Sequence, residues 1–499
     1  MRARWTARTA GTGGAALFLA LAAGTAATAQ AATPASGSGW GTAREAPGTA
    51  ALNQGASGLS GFSSVSCASA GNCAAGGTYT DSGGNIWVFL ASQKNGVWGK
   101  AEQVPGIAAL NLGGYPIDSE NGPAGPSITQ VSCSSAGNCA IVGTYWNAAH
   151  FVRPFVISEH DGAWGTAREI AGIEQFSPKR GMDSADSVSC SAAGECAAVG
   201  SVGGAKQTPV AFVVSEHHGT WGKAQAIKGF AASSTPEPES VSCTAPGDCL
   251  AGGAWFGAPP SDQTTAFLVT ERNGRWSSAQ PVRGLAALDT GHGSTIKSLT
   301  CVSAGNCVVT GRFHDKAGFQ VYVASERNGV WGKAQAMPGL AALNRGGSAF
   351  ATQVSCASAG NCATGGFYVP GSNLQREQAW IASEHNGRWA KAQEVPGSAL
   401  NSGMYAMVDS VSCGASGNCA AGGFYTPAAD PSQYRRAFVI SQRNGVWGRM
   451  QPVPGMAALD RGHYSELTSL ACSRSGKCSA VGYYEDAHRS SQMFVVGRS

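Results

Sequence analysis

The chain has 499 residues, of which only 13% are charged and 70 are glycine. That length predicts several domains or one repeat array, and the sparse charge with many small residues excludes a disordered chain and long surface helices. The formal net charge is +4, but Arg2, Arg4 and Arg8 belong to an amino-terminal leader. The remainder is near neutral, which excludes an electrostatic footprint for nucleic acid or an anionic membrane.

The leader comes first. Three arginines precede the apolar run Ala15-Ala16-Leu17-Phe18-Leu19-Ala20-Leu21-Ala22-Ala23, and Ala27-Thr28-Ala29 and Ala29-Gln30-Ala31 offer small-residue cleavage patterns. Residues 1–31 are therefore expected to be a secretory signal peptide and 32–499 the mature chain. The apolar run is short of the roughly 20 residues a membrane span needs. No later segment is long and apolar enough, so a secreted, extracellular protein without a membrane span in its mature chain is expected.

Beyond the leader, one unit is repeated eight times. Cysteines come in pairs with a fixed spacing: Cys67 and Cys73, Cys133 and Cys139, Cys190 and Cys196, Cys243 and Cys249, Cys301 and Cys307, Cys356 and Cys362, Cys413 and Cys419, Cys472 and Cys478. Together they use all 16. A second marker also occurs eight times, at Trp40, Trp98, Trp164, Trp221, Trp276, Trp331, Trp389 and Trp447. Within a unit the first strand ends at a cysteine (Ser64-Val65-Ser66-Cys67) and a short turn leads to a Gly/Ala-rich second strand. A variable loop precedes an apolar third strand such as Ala211-Phe212-Val213-Val214-Ser215. An Asn-Gly type turn then enters the Trp strand, as in Asn328-Gly329-Val330-Trp331, and such dipeptides favour tight hairpins because both residues tolerate positive φ. Four short strands at a period near 57 residues are blade-like.

The ends of the chain complement each other. The last unit stops after Met493-Phe494-Val495-Val496 without a Trp strand, while Trp40-Gly41-Thr42-Ala43-Arg44 precedes every cysteine pair. An all-β fold follows: an eight-bladed β-propeller of four-stranded blades, closed by residues 40–46 completing the last blade, so that no sheet edge stays open. In an exported chain, even-numbered cysteines at constant spacing predict one disulfide within each hairpin. The spacing lacks a repeated nearby histidine, so no metal and no cofactor is expected.

The turn Ser383-Glu384-His385-Asn386-Gly387-Arg388-Trp389 resembles the Asp-box hairpin of sialidase-like propellers. It is one residue longer, and His218 replaces the Asn in another copy; the resemblance implies a shared hairpin location, not sialidase activity. The S-C-x-S-x-G-x-C-A-x-G-G unit followed by N-G-x-W-G is similar to secreted repeat proteins of high-GC Gram-positive bacteria, over nearly the whole mature chain. That family implies no activity.

A site is expected on the face that collects the second-to-third loops and the blade linkers, because these vary while the opposite turns are uniform. The longest linker holds Tyr115, Asp118 and Glu120. Trp146, Phe256, His314 and Glu485 follow the recurring aromatic that closes each second strand, and His150 and His463 lie in loops of the same face. No nucleophile elbow, zinc-protease helix or phosphate loop occurs. Loop acids such as Glu237, Glu239, Asp289 and Asp460 could converge over the axis. The reading is a monomeric, non-enzymatic extracellular binding or scaffold protein for a glycan or protein ligand. The alternative is a carbohydrate-active hydrolase or lyase using loop carboxylates near the ring axis.

Overall fold

The computed structural model describes residues 39–499 except 56–59, 115–124, 177–182, 204–208, 232–233, 258–262, 375, 398–399, 401–402 and 428–433. Eight antiparallel sheets follow one another as the blades of a propeller. In blade 3 the first strand is Ser184–Ala192, the second Glu195–Val202 and the third Val210–His217. The fourth is split into Thr220–Trp221 and Gln225–Ala226, both paired to the third. The other blades repeat this order. The eighth ends with Ser491–Arg498, whose outer partner is Arg44–Glu45, with Arg44 opposite Val495 and Glu45 opposite Phe494. Trp40 bridges to Arg498. The ring is thus closed by the start of the described chain, as the complementary ends predict.

All eight predicted disulfides form inside their own hairpins. Cys67 joins Cys73, Cys133 joins Cys139, Cys190 joins Cys196 and Cys243 joins Cys249. Cys301 joins Cys307, Cys356 joins Cys362, Cys413 joins Cys419 and Cys472 joins Cys478. No described cysteine is free. The Asn-Gly type turns have the expected positive φ at Asn95, Asp161, His218, Asn273, Asn328, Asn386 and Asn444. His218 adopts the same conformation as the asparagines it replaces.

Each blade has a feature not anticipated from sequence. Every first strand carries a β-bulge at one position: Ser63, Thr129, Asp186, Glu239, Lys297, Thr352, Asp409 and Thr468 are the extra residues. The bulge pushes a first-strand carbonyl against the second strand, where only glycine fits. A Cβ at Gly77, Gly143, Gly200, Gly253, Gly311, Gly366, Gly423 or Gly482 would collide with that carbonyl oxygen. Opposite each of these glycines, on the third strand, stands a fully buried aromatic: Phe89, Phe155, Phe212, Phe267, Tyr322, Trp380, Phe438 or Phe494. The ring covers the flat surface the glycine leaves, as aromatics do beside strand glycines.

The first strands are innermost and bond from blade to blade. Ser64, Gln130, Ser187, Ser240, Ser298, Gln353, Ser410 and Ser469 each accept a hydrogen bond from a backbone N–H of the next blade, at 2.9–3.2 Å. The last returns to Val65 of the first blade. Two residues nearer the cysteine, Ser66, Ser132, Ser189, Ser242, Ser355 and Ser412 accept from the cysteine N–H of the following blade. The serines of the S-x-S-C motif therefore tie the inner rim into a ring. At the outer rim, the Trp40, Trp164, Trp221 and Trp447 indoles donate to Ser441, Ser92, Ser158 and Ser383 of the preceding blade.

Candidate functional site

The cysteines serve the scaffold and present nothing to a ligand. The second member of each bridge, Cys73, Cys139, Cys196, Cys249, Cys307, Cys362, Cys419 or Cys478, is buried in the blade core. The first members are half-buried, apart from Cys413, which is buried as well. The cause is position: the second cysteine opens the second strand, which is sandwiched inside its blade, whereas the first closes the strand at the inner edge.

The recurring large residue after each second cysteine also belongs to the core. Tyr79, Tyr145, Val202, Phe313, Tyr368, Tyr425 and Tyr484 are buried and Trp255 is half-buried. The side chain one position on is exposed or half-buried in four blades, Glu485 among them. Phe256 is 36% exposed, and Trp146 and His314 are half-buried. His314 lies against Phe319, with ring centroids 4.7 Å apart, and its backbone N–H is held by the Asp289 carboxylate at 2.9 Å. His150 sits exposed in a left-handed turn with Nδ1 at 2.9 Å from the Gly113 carbonyl. His463, also left-handed and exposed, is next to Gly462, whose N–H donates to the Glu485 carbonyl. Burial raises the affinity of the Glu485 carboxyl for its proton, against the pull of Arg489. Tyr115, Asp118 and Glu120 lie outside the described residues.

These side chains come from blades 2, 4, 5 and 8, all at the linker face. His463 and Glu485 are neighbours, Trp146 and His150 share blade 2, and Phe256 and His314 come from the adjacent blades 4 and 5; these three groups lie apart around the ring. Asp289 and Asp460 are buried and serve the linkers. Asp289 caps the Gly293 and His314 N–H groups, and Asp460 accepts from Ser465 at 2.8 Å with Arg436 at 3.4 Å.

The acids nearest the axis are on strands. Glu237 and Glu239, expected in a loop, belong to the first strand of blade 4, Thr235–Ala245, despite Pro236 and Pro238. Proline is admissible because this strand is the inner edge of its sheet and carries the bulge. Two further acids, Asp186 and Asp409, were hidden inside strand-like runs. They occupy the bulge positions of blades 3 and 7, beside Glu237 of blade 4 and Glu466 of blade 8. Glu237 and Glu466 are themselves equivalent, each two residues before its blade's bulge. One Asp–Glu pairing thus occurs twice, four blades apart, on opposite sides of an eight-membered ring. The pattern was findable by aligning the eight first strands.

The surroundings of the two pairs differ. Glu466 is held by Arg435 at 2.6 Å and by the Tyr483 hydroxyl at 3.0 Å, and the Arg435 guanidinium lies 4.0 Å over Phe424. Asp409 is pushed well above the usual carboxylate range by burial and then by the Glu466 charge. At the other pair, Ser184 donates to Asp186 at 2.9 Å and Lys297 binds Glu239 at 2.9 Å. Burial, with Glu239 and Glu237 adding to it, pushes Asp186 up to about 7. No group of three metal-ligating side chains occurs among the described residues. On the opposite face, a recess of about 520 Å³ lies at the seam of the last and first blades, lined by Trp40, Gln93, Lys477 and Arg498.

No protein-family model matches the chain, and no curated protein sequence does. Solved structures are similar in fold. A Hadza microbial sialidase matches over 67% of this chain and 65% of its own, at 11% identity and a TM-score of 0.36. This chain thus spans just under two thirds of that sialidase. A protein of unknown function from Dyadobacter fermentans matches over 69% of this chain and 99% of its own, at 11% identity and a TM-score of 0.37. A Penicillium chrysogenum alpha-L-arabinanase matches over 65% and 93%, at 10% identity and 0.35. The likeness extends to the propeller fold and no further.

Proposed function

We propose that this chain is exported and acts as a non-enzymatic binding or scaffold protein, whose glycan or protein ligand seats on the face carrying the variable loops. Residues 1–31 would be the removed leader and 32–499 the working ring. The observation that carries the reading is the contrast along the second strands. Seven of the eight recurring large residues are absorbed by the core, whereas Phe256, Trp146 and His314, one position on, remain at the surface of one face. Aromatic and imidazole groups on a rigid scaffold supply contact area at low entropic cost. Eight disulfides fit an oxidising compartment, and among the described residues no helix is long and apolar enough to cross a membrane.

A glycan array probed with the exported protein tests the reading, with Trp146→Ala and Phe256→Ala as companions. Binding that weakens in both variants at unchanged melting temperature supports it. Unfolding of the variants would assign these side chains to the core instead. The hydrolase or lyase alternative draws on Glu237, Glu239 and Glu466 near the axis. Turnover of a glycoside or polysaccharide that is lost in Glu466→Gln would establish it in place of the binding reading.

A further inference from the structure

The bulge position is a slot with a defined chemistry. In blade 6, Thr352 Oγ1 donates to the Gly365 carbonyl of its own second strand at 3.1 Å and to the Val408 carbonyl of the next blade at 2.7 Å. In blade 8, Thr468 Oγ1 donates to the equivalent carbonyls, Val481 at 3.4 Å and Phe62 at 2.8 Å. In these two blades the slot presents two backbone carbonyls, which suit a donor. Serine, threonine or lysine fills it in five blades. In blade 4 the slot residue is Glu239, which Lys297 of blade 5 answers at 2.9 Å. An ionised carboxylate has no hydrogen to offer. Yet Asp186 and Asp409 occupy the slots of blades 3 and 7, where the matching carbonyls are Val199 with Pro238 and Gly422 with Leu467.

The neighbouring charges sharpen the conflict. Asp409 faces Glu466 from blade 8, and the cation beside them, Arg435, is committed to Glu466 at 2.6 Å. The Oδ2 atom of Asp409 is buried and has no donor within reach among the described residues. Asp186 faces Glu237 and Glu239 from blade 4, and Lys297 from blade 5 is committed to Glu239. Asp186 accepts one hydrogen bond, from Ser184 at 2.9 Å, yet a carboxylate that faces other acceptors on its remaining sides costs free energy unless a proton is added.

We infer that Asp186 and Asp409 are held as neutral carboxylic acids that donate to the backbone carbonyls of their slots, making the seams between blades 3 and 4 and between blades 7 and 8 dependent on a bound proton. The two seams lie opposite each other and open at the linker face, because the bulge stands at the end of the first strand remote from the cysteine turn. Loss of the protons sets an aspartate against a glutamate at both seams and loosens the ring across one diameter. The effect belongs to the scaffold and does not depend on the proposed ligand.

The sign of the effect follows from linkage. A carboxyl that holds its proton more tightly when folded favours the folded state at low pH and loses that advantage as pH rises through its folded value. For Asp186 that point is about pH 7; for Asp409 it also lies well above the usual carboxylate range. The test replaces each acid by the residue other blades use. Melting midpoints of the wild type, Asp186→Thr, Asp409→Thr and the double variant are compared between about pH 5 and about pH 9, a range spanning the ordinary and raised carboxyl values. The double variant should keep its midpoint where the wild type loses several degrees, and each single variant should remove part of the loss. Thr352→Asp should create a new alkaline loss in blade 6. Side-chain carboxyl titration by NMR of the wild type reads the same protons without substitution, which covers variants that fail to fold. Parallel profiles for wild type and double variant, or both aspartates titrating in the ordinary carboxylate range, would overturn the inference.

Discussion

At the scale of single residues, glycine and an aromatic are coupled across one pair of strands. Gly200 lies against the Ser184 carbonyl and the edge of the Phe212 ring, so an added methyl has nowhere to go. Gly200→Ala should cost at the upper end of the roughly 1–3 kcal/mol typical of overpacking, and Phe212→Ala about 3–5 kcal/mol. Gly371→Ala, with nothing near its added carbon, is the control and should be near neutral. Urea melts of the three variants check the ranking; equal losses at Gly200 and Gly371 would refute a clash at the bulge. A second residue-scale prediction concerns buried acids. Glu159, Glu216 and Glu271 sit at one equivalent third-strand position, and burial raises each above the ordinary carboxylate range. Blades 1 and 7 have Gln93 and Gln442 there, also buried, which shows that the site suits a neutral amide. Because these values are raised, stability falls as pH rises through them. Glu216→Gln should therefore raise the melting temperature at neutral pH and change it little near pH 4. The third-strand aromatic was present in sequence as an unbroken column, but its partner glycine is seen only once the register of the two strands is known.

At the scale of the element, the hairpins were the most legible part, because their signals are local. Cysteine spacing, Asn-Gly turns and the Trp strand each lie within a few residues of what they specify. The disulfide closes a loop of about seven residues, worth roughly 2.4 kcal/mol in the chain-entropy model. Replacing Cys190 and Cys196 together by alanine should lower stability by about that much in chemical denaturation, and less if the unfolded hairpin retains structure. The inner-rim serines were not legible. Ser187 and Ser189 look like ordinary β-strand polar residues, yet Ser187 accepts from Val241 and Ser189 from Cys243 in the next blade. That relation appears only when strands more than 50 residues apart become neighbours. The same applies to Asp186 and Glu237. The Thr-Pro-Glu-Pro-Glu run resembles a loop because proline is excluded from central strands, while the inner edge of a blade tolerates it.

At the scale of the whole molecule, closure decides whether eight blades act as one body. Each blade buries its faces against two neighbours, so an open array would leave the last third strand and the first blade with uncovered edges. The described chain avoids this by pairing Arg44 and Glu45 with Val495 and Phe494, and by hydrogen bonds from Gly41 to Gly497 and from Ala46 to Met493. Trp40, 7% exposed, fills the position its counterparts occupy in the other blades and donates its indole N–H to Ser441 of blade 7. This register was legible because the two termini each lack what the other supplies. Burying a side chain of that size contributes about 1.5–3 kcal/mol, and Trp40→Ala should lose at least that, because the Ser441 hydroxyl also loses a partner. Deleting residues 37–46 removes the whole outer strand of blade 8 and exposes the third strand as an edge. The loss should spread to both neighbouring blades, since Val481, Met493 and Val495 pack with Phe62 and Phe89 of blade 1, while Phe494 and Val496 pack with Val439 of blade 7. Hydrogen exchange should therefore show weakened protection in blades 1, 7 and 8 together, with a lower melting temperature for the ring. Removing an equal length from the linker at 115–124 should leave blade protection unchanged. If the terminal deletion affected blade 8 alone, the blades would be independent units and the ring would contribute no cooperativity.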